Sequence, residues 1–256
     1  MRIVLLGTGN LATRLGLSLL AKNGAVVQVY GRNTARATTL AHLLGCPWTT
    51  DKSKILLDAD LYLLAVTEEG IPELLQDAPI RHRLLVHTSG SVAMDVLAPF
   101  TDDYGVFYPL QTLSAQKALD FSQVPICVEA NNSDNLQKIT LLAQMISEQV
   151  VNLNSVQRRE FHLAAVFVCN FVNHLYVIGE KLLKDQQLDF NLLKPLILET
   201  ANKAMAFSPA TVQTGPAIRG NQPILDLHLK MLEQHPAWQK IYELMSLDIL
   251  SNRKQP

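Results

Sequence analysis

The sequence is 256 residues long, 48% hydrophobic and 18% charged, and its formal net charge is −1. These values predict a globular protein with a large core, and they argue against nucleic acid or another polyanion as the main partner. The cysteines Cys46, Cys127 and Cys169 are odd in number and widely spaced, which predicts buried thiols in a reducing cytoplasm. The chain starts directly with an apolar strand, so we expect no signal peptide and a cytoplasmic location.

The first thirty residues have the pattern of a dinucleotide-binding unit. An apolar strand over 2–6 leads into a glycine turn and a helix to about Lys22, and a second strand follows over 25–30. In such a turn the first glycine allows a sharp bend, and the second leaves room for a pyrophosphate on the helix N-terminus. We therefore predict that a cofactor contacts Gly7, Thr8, Gly9, Asn10, Leu11 and Ala12.

The end of the second strand indicates which dinucleotide is bound. An NAD site usually carries an acidic residue here for the ribose 2′-hydroxyl, but residues 30–36 contain none. Arg32 and Arg36 can pair with a 2′-phosphate, and the side chains of Asn33 and Thr34 can hydrogen-bond to it. These residues predict NADP(H). The alternative is that they are solvated side chains at a helix start.

The pattern up to residue 153 predicts a doubly wound, mostly parallel α/β sheet. Pro125 suggests an edge position for the seventh strand, and Ser133 is the expected N-cap of the helix that follows it. The further predicted strands cover 48–50, 60–66, 84–87, 104–108, 124–129 and 150–153, and the further predicted helices cover 34–44, 71–76, 92–100 and 133–148.

The remainder of the chain predicts an all-helical domain. The segment 158–184 is apolar on nearly every side, so we expect a helix buried all round rather than a membrane span. Helices over 192–207, 223–234 and 237–250 follow, with a loop over 208–221. We place the domains at 1–154 and 155–256. The buried long helix suggests a homodimer formed through the helical domains.

Ligands of open α/β sheets lie beyond the carboxyl ends of the strands, here facing the helical domain. This rule adds Ala65, Val66 and Thr67 to the cofactor site, and it places Ser89 and Gly90 beside the nicotinamide. His87 ends a strand there, either as a catalytic residue or as a capping residue bonded to nearby backbone.

His162 is the best candidate for the proton donor, because a histidine titrates near neutral pH. It shares a helix face with Asn170, which could hold the substrate carbonyl or the nicotinamide amide. The alternative is that the polar side chains on this face form a seam that only makes hydrogen bonds within a helix–helix contact. Arg219 can bind a substrate carboxylate or else tie its loop to a helix end. No His, Cys and carboxylate set has metal-ligand spacing, so we expect no metal.

The chain resembles Rossmann-like proteins that carry a C-terminal domain of unknown function, DUF2520, and that are often labelled NADP- or F420-dependent oxidoreductases. The matching pieces are Gly7-Thr8-Gly9-Asn10-Leu11-Ala12, His87-Thr88-Ser89-Gly90, Tyr108-Pro109-Leu110-Gln111, the helix with His162 and Asn170, and Thr214-Gly215-Pro216-Ala217-Ile218-Arg219-Gly220. The wider architecture is similar to pyrroline-5-carboxylate reductases and 6-phosphogluconate/β-hydroxyacid dehydrogenases. This resemblance implies a Rossmann domain, a helical domain that forms dimers, and a substrate bound between them.

Two positions depart from the family pattern. Family members commonly have His-Pro where this chain has Tyr108-Pro109, and Arg-Gly-Asp where it has Arg219-Gly220-Asn221. Asn221 can hydrogen-bond to a substrate but cannot act as a base.

Together these features predict an NADPH-dependent reductase of a small carbonyl or imine substrate that carries a carboxylate, with F420 possible as a second redox partner. The alternative is a sensor that binds NADP(H) without turnover.

Overall fold

The computed structural model describes residues 1–112 and 119–252. The chain forms two compact units, Met1–Asn170 and Phe171–Pro256. The secondary structure changes from strand to helix close to the predicted boundary at Asn154, whereas the compact units divide later, inside the long helix.

The first unit is built on one eight-stranded sheet. The strand order is β3-β2-β1-β4-β5-β6-β7-β8, and every neighbouring pair is parallel except β6 with β7. The order reverses between β1 and β4, which opens the crevice where doubly wound sheets bind ligands. The strands are β1 (Arg2–Leu6), β2 (Ala25–Tyr30), β3 (Trp48–Thr49), β4 (Leu61–Leu64), β5 (Leu85–His87), β6 (Tyr104–Pro109), β7 (Ile126–Ala130) and β8 (Val150–Asn152).

Helices cover both faces of this sheet: α1 (Asn10–Ala21), α2 (Thr34–Leu44), α3 (Gly70–Leu75) and α4 (Ser133–Ile146). One apolar cluster includes Leu5 and Leu142, and the cluster on the other face includes Leu6 and Ile71. Because both faces are covered, all four residues of β4 are buried, which explains its continuous apolar sequence. The predicted Rossmann fold class is confirmed.

Three local predictions in this unit are wrong. The segment 92–100 is not an α-helix but a 3₁₀ helix over Met94–Leu97, because Pro99 cannot continue a helix. The N-cap of α4 is Asn132 instead of Ser133, since the Asn132 side chain accepts from the Asn135 amide. β7 is an inner strand between β6 and β8. Pro125 lies just before β7, so its missing amide donor does not interrupt the ladder.

The thiols are less buried than we expected. Cys127 is buried, but Cys46 and Cys169 are half-buried, and all three are free thiols. Burial raises the pKa of the Cys127 thiol to about 11, so this side chain stays neutral.

The remainder of the chain is helical, as predicted. The long helix consists of α5 (Ser155–Ala165), a π-helical segment (Val166–Phe171) and α6 (Val172–Asp185). The remaining helices are α7 (Lys194–Ala206), α8 (Pro216–Arg219), α9 (Gln222–Met231) and α10 (Pro236–Ser251). The short helix α8 lies inside the predicted loop over 208–221.

The long helix is not buried all round in the single chain. Arg158 is its only buried residue, and Phe167 and Val168 are 59% and 75% exposed. Ser155–Asp185 is also the one helix among the described residues that is long and apolar enough to cross a membrane, with a mean hydropathy of 1.6 over its most apolar window. The long helix is apolar as predicted, but the rest of the described chain does not cover its apolar side chains.

Candidate functional site

A cavity of about 270 Å³ opens at the carboxyl ends of β1, β2 and β4. It lies at the reversal of strand order, where the sequence places the cofactor. Nine predicted cofactor residues line it: Gly7, Thr8, Gly9, Arg32, Asn33, Arg36, Ala65, Val66 and Thr67. Asn10, Leu11 and Ala12 form the first turn of α1 beside it, and Thr34 begins α2.

The glycine turn has the geometry that a dinucleotide needs. Gly7 has a φ of +132°, and a Cβ there would lie 2.1 Å from the Ala65 carbonyl oxygen, so no other residue fits. A Cβ on Gly9, by contrast, would meet no atom within 4 Å. No side chain caps the N-terminus of α1. The N-cap residue is Gly9 itself, so no N-cap side chain covers the first amides of α1, and this turn fits a pyrophosphate.

Two of the polar side chains after β2, those of Arg32 and Asn33, already have partners within the chain. Arg32 Nη1 lies 3.1 Å from Glu73 Oε2, and both side chains are mostly exposed. The Asn33 side chain accepts from the Arg36 amide at 3.0 Å and caps α2. Lys52 also lines the cavity, which the sequence did not predict.

His87 is buried at the end of β5, and its Nδ1 accepts from the Ser89 amide at 3.2 Å. Its Nε2 has no partner among the described residues. Burial, together with the positive charge of Arg158, lowers the pKa of His87 to about 3, so the ring is neutral. This geometry matches the capping alternative that the sequence left open.

The turn after β5 is joined to the loop after β4 through Glu68. Glu68 Oε1 accepts from Ser91 Oγ at 2.6 Å and from Ser89 Oγ at 2.9 Å. These hydroxyls lower the pKa of the Glu68 carboxyl, and the charge of His162 lowers it further. An ionised carboxylate therefore lies between the cofactor cavity and the predicted nicotinamide contacts. The sequence did not predict Glu68, although its place after β4 satisfies the strand-end rule.

Tyr108 and His162 form a hydrogen-bonded pair beside this turn. Tyr108 Oη lies 2.9 Å from His162 Nδ1. A Cβ on Gly90 would lie 2.7 Å from His162 Nδ1 and 2.8 Å from Tyr108 Oη, so only a glycine lets the pair approach so closely. Burial raises the pKa of Tyr108 to about 12, and the phenol is therefore protonated at neutral pH. The sequence identified His162 but treated Tyr108 only as a departure from the family pattern.

A buried arginine fixes the helix that carries His162. Arg158 donates to the carbonyl oxygens of Ser89 at 2.8 Å and Gly90 at 3.1 Å. Its Nη2 also donates to Glu129 Oε2 on β7 at 3.2 Å. Ser155, at the start of α5, donates to the same carboxylate through its amide and its hydroxyl. The first turn of α5 is thus attached to both β5 and β7.

The other predicted residues are not brought to this turn by any contact that the structure describes. Asn170 is exposed in the π-helical segment. A π-helical turn is wider than an α-helical one, so the α-helical spacing that put Asn170 on the same face as His162 does not apply there. Arg219 is exposed at the end of α8 and forms no ion pair with the described residues. The amide of Asn221 donates to the Pro216 carbonyl. The described residues contain no cluster of three or more potential metal ligands.

The sheet order, glycine turn and open cradle define a Rossmann-fold dinucleotide-binding protein. Residues 2–90 match the family described as NADP oxidoreductase, coenzyme F420-dependent, and residues 124–249 match the domain of unknown function DUF2520. A Bacteroides fragilis protein provisionally named an NADP oxidoreductase is 41% identical, with a TM-score of 0.91 and 98% of each chain covered. The chain therefore belongs to the Rossmann-like oxidoreductases that carry a DUF2520 domain, as its motifs predicted.

More distant structures share the fold. An imine reductase from Myxococcus stipitatus in complex with NADP+ is 13% identical, with a TM-score of 0.70 and coverage of 98% of this chain and 93% of that one. A 1-pyrroline-5-carboxylate reductase from Streptococcus pyogenes is 15% identical, with a TM-score of 0.64 and 98% of both chains covered. No curated protein matches the chain.

Replacing Arg158 with Met should lower the free energy of unfolding by about 3–5 kcal/mol, because Glu129 would keep a buried charge without its cation. Urea unfolding followed by circular dichroism measures this loss. Arg159→Met, an exposed neighbour on the same helix, is the control and should cost less than about 0.5 kcal/mol. Equal losses in the two variants would contradict a buried ion pair.

The neutral, buried His87 should make the protein lose stability as the pH falls. The folded pKa of His87 is lowered from 6.5 to about 3, so between these values the unfolded chain binds a proton that the native chain does not. The stability difference between the wild type and His87→Asn should change by about 1.4 kcal/mol per pH unit between about pH 6 and 4. The exposed His42→Asn is the control. Parallel pH curves for wild type and His87→Asn would refute a depressed pKa.

Proposed function

We propose that the protein is an NADPH-dependent reductase of a small carbonyl or imine substrate that carries a carboxylate. The observation that carries this proposal is the Tyr108–His162 pair, which lies against Gly90 at the carboxyl end of the sheet. A reductase needs a proton donor beside its nicotinamide site, and Glu68 links this turn to the loop that lines the cofactor cavity.

Bound NADPH would supply a hydride to the carbon of the C=O or C=N bond. The chain supplies the proton that completes the reduction. In the imidazolium form both ring nitrogens of His162 are donors: Nδ1–H donates to Tyr108 Oη, and Nε2–H protonates the substrate oxygen or nitrogen. Tyr108 thereby fixes the orientation of the ring. His87 and Arg158 hold the turn in place under the pair.

The remaining residues take the roles that the sequence predicts for them. Ser89 and Gly90 lie along the nicotinamide, Asn170 hydrogen-bonds to the substrate or to the nicotinamide amide, and Arg219 pairs with the substrate carboxylate, assisted by Asn221. Coenzyme F420, which the description of the matching N-terminal family names, is the second redox partner to test. We place the protein in the cytoplasm.

The first experiment measures NADPH oxidation with a panel of keto acids and cyclic imines. Replacing His162 with Gln should lower kcat by about 10²–10⁴-fold for any substrate that is reduced, with the NADPH Kd unchanged. Tyr108→Phe should cost roughly tenfold, because it removes one orienting hydrogen bond. The exposed His42→Gln is the control.

Unchanged turnover in His162→Gln would remove the proposed proton donor. Tight NADPH binding without turnover across the whole panel would instead favour the non-catalytic sensor. Equal affinity for NADH and NADPH in the wild type would contradict the cofactor assignment.

We also propose a homodimer that forms through the helical part of the chain. Among the described residues of 171–252, the buried hydrophobic residues are Ala217, Leu225 and Leu232. Large apolar side chains stay exposed, such as Met205 at 88% and Leu196 at 62%. Soluble monomers rarely expose contiguous apolar surfaces on this scale, whereas obligate dimer interfaces consist of them. A second copy is the partner that supplies matching apolar faces.

Sedimentation equilibrium in detergent-free buffer should give twice the 28.4 kDa mass of one chain. Val168→Asp should produce monomer or aggregate, because it places a charge on the exposed apolar face of the long helix. Leu141→Asp, which changes an exposed apolar residue of α4 outside the helical part of the chain, should remain dimeric. A protein that stays dispersed only in detergent would point to a membrane instead of a second copy.

A further inference from the structure

The wall that α3 contributes to the cofactor cavity carries a carboxylate. Glu73 projects from α3, and its Oε2 and Oε1 accept from Arg32 Nη1 at 3.1 and 3.3 Å. Arg32 is one of the two arginines that the sequence assigns to the 2′-phosphate. An anion of the chain itself thus binds the guanidinium that this phosphate requires.

Lys52 stands on the same side of the cavity. It begins a 3₁₀ helix, Lys52–Lys54, and its Nζ donates to the Glu73 carbonyl oxygen at 2.6 Å. The carboxylate of Asp77 lies 3.8 Å from this Nζ and is mostly exposed. Lys52 is therefore held beside Glu73 by a backbone contact, with one weak, solvated ion pair.

The charges that line the cavity suit a dianion. Arg32, Arg36 and Lys52 supply three cations, and Glu73 supplies one carboxylate, which leaves a net charge of +2. A phosphomonoester carries about −1.5 to −2 charges at neutral pH. The ribose 2′-hydroxyl of NADH offers no such charge. The cavity is matched to the phosphate only if Glu73 releases Arg32, because two anions on one guanidinium edge repel each other.

We propose that Glu73 competes with the 2′-phosphate of NADPH for Arg32, and that Lys52 is a third cation of the phosphate site. This inference rests on the proposed use of NADPH. Glu73 is mostly exposed, so its carboxylate can turn to solvent at little cost when the phosphate arrives.

The test measures Kd values of the full-length protein for NADPH and NADH by calorimetry. Glu73→Gln should tighten NADPH binding by about two- to fivefold, and Lys52→Met should weaken it by about two- to tenfold. Neither variant should change NADH binding, and both effects should shrink at high salt. The controls are Glu69→Gln and Lys54→Met, which change the same charges nearby without lining the cavity.

A double-mutant cycle isolates the competition. In an Arg32→Ala background, Glu73→Gln should give no further gain in NADPH affinity, because the guanidinium for which Glu73 and the 2′-phosphate compete is gone. An equal gain in that background would overturn the competition, and weaker NADH binding in Glu73→Gln would show that Glu73 holds the ribose hydroxyl instead. If the wild type prefers NADPH but Glu73→Gln and Lys52→Met leave the NADPH Kd unchanged, only this inference is refuted. A wild type that binds neither nucleotide refutes the proposed function itself.

Discussion

The buried guanidinium of Arg158 is the interaction on which the site depends. A charge without solvent must be neutralised and hydrogen-bonded. Arg158 pairs with Glu129 on β7 and donates to two carbonyl oxygens of the turn after β5, while its Nε has no partner among the described residues. His162 follows one helical turn later, on the same face of α5. The contacts that neutralise Arg158 therefore also set the height of the imidazole above Gly90, and the position of the proposed donor follows from an electrostatic requirement of the fold.

The parts of the site that could be predicted from the sequence are those specified by neighbouring residues. Gly7 and Gly9 follow an apolar strand and precede a helix, so their roles could be inferred without tertiary information. The absence of an acidic residue after β2 can likewise be recognised from neighbouring residues alone. The predicted element boundaries were wrong where two local signals compete, as at Asn132 and Ser133, either of which can cap α4.

The Tyr108–His162 pair could not be predicted in this way, because its members are separated by 54 residues. Their contact requires both the register of β6 beside β5 and the attachment of α5 through Arg158. The prediction that the long helix is buried all round was wrong for a related reason. Hydrophobic periodicity states which side chains avoid water, but it does not state which surface covers them, so burial within one chain could not be distinguished from burial by a partner.

The two ends of the site differ in charge, and this difference orients a dinucleotide. The end near β2 collects Arg32, Arg36 and Lys52, which favour the phosphate-bearing adenosine half. At the end near β5, burial keeps His87 and Tyr108 uncharged, and the ionised Glu68 is held by two serine hydroxyls. The cation beside the turn after β5, Arg158, is already paired with Glu129, so the phosphates of a dinucleotide are favoured at the end near β2. The basic residues near β2 would thus orient the cofactor with its phosphates away from the proposed proton donor.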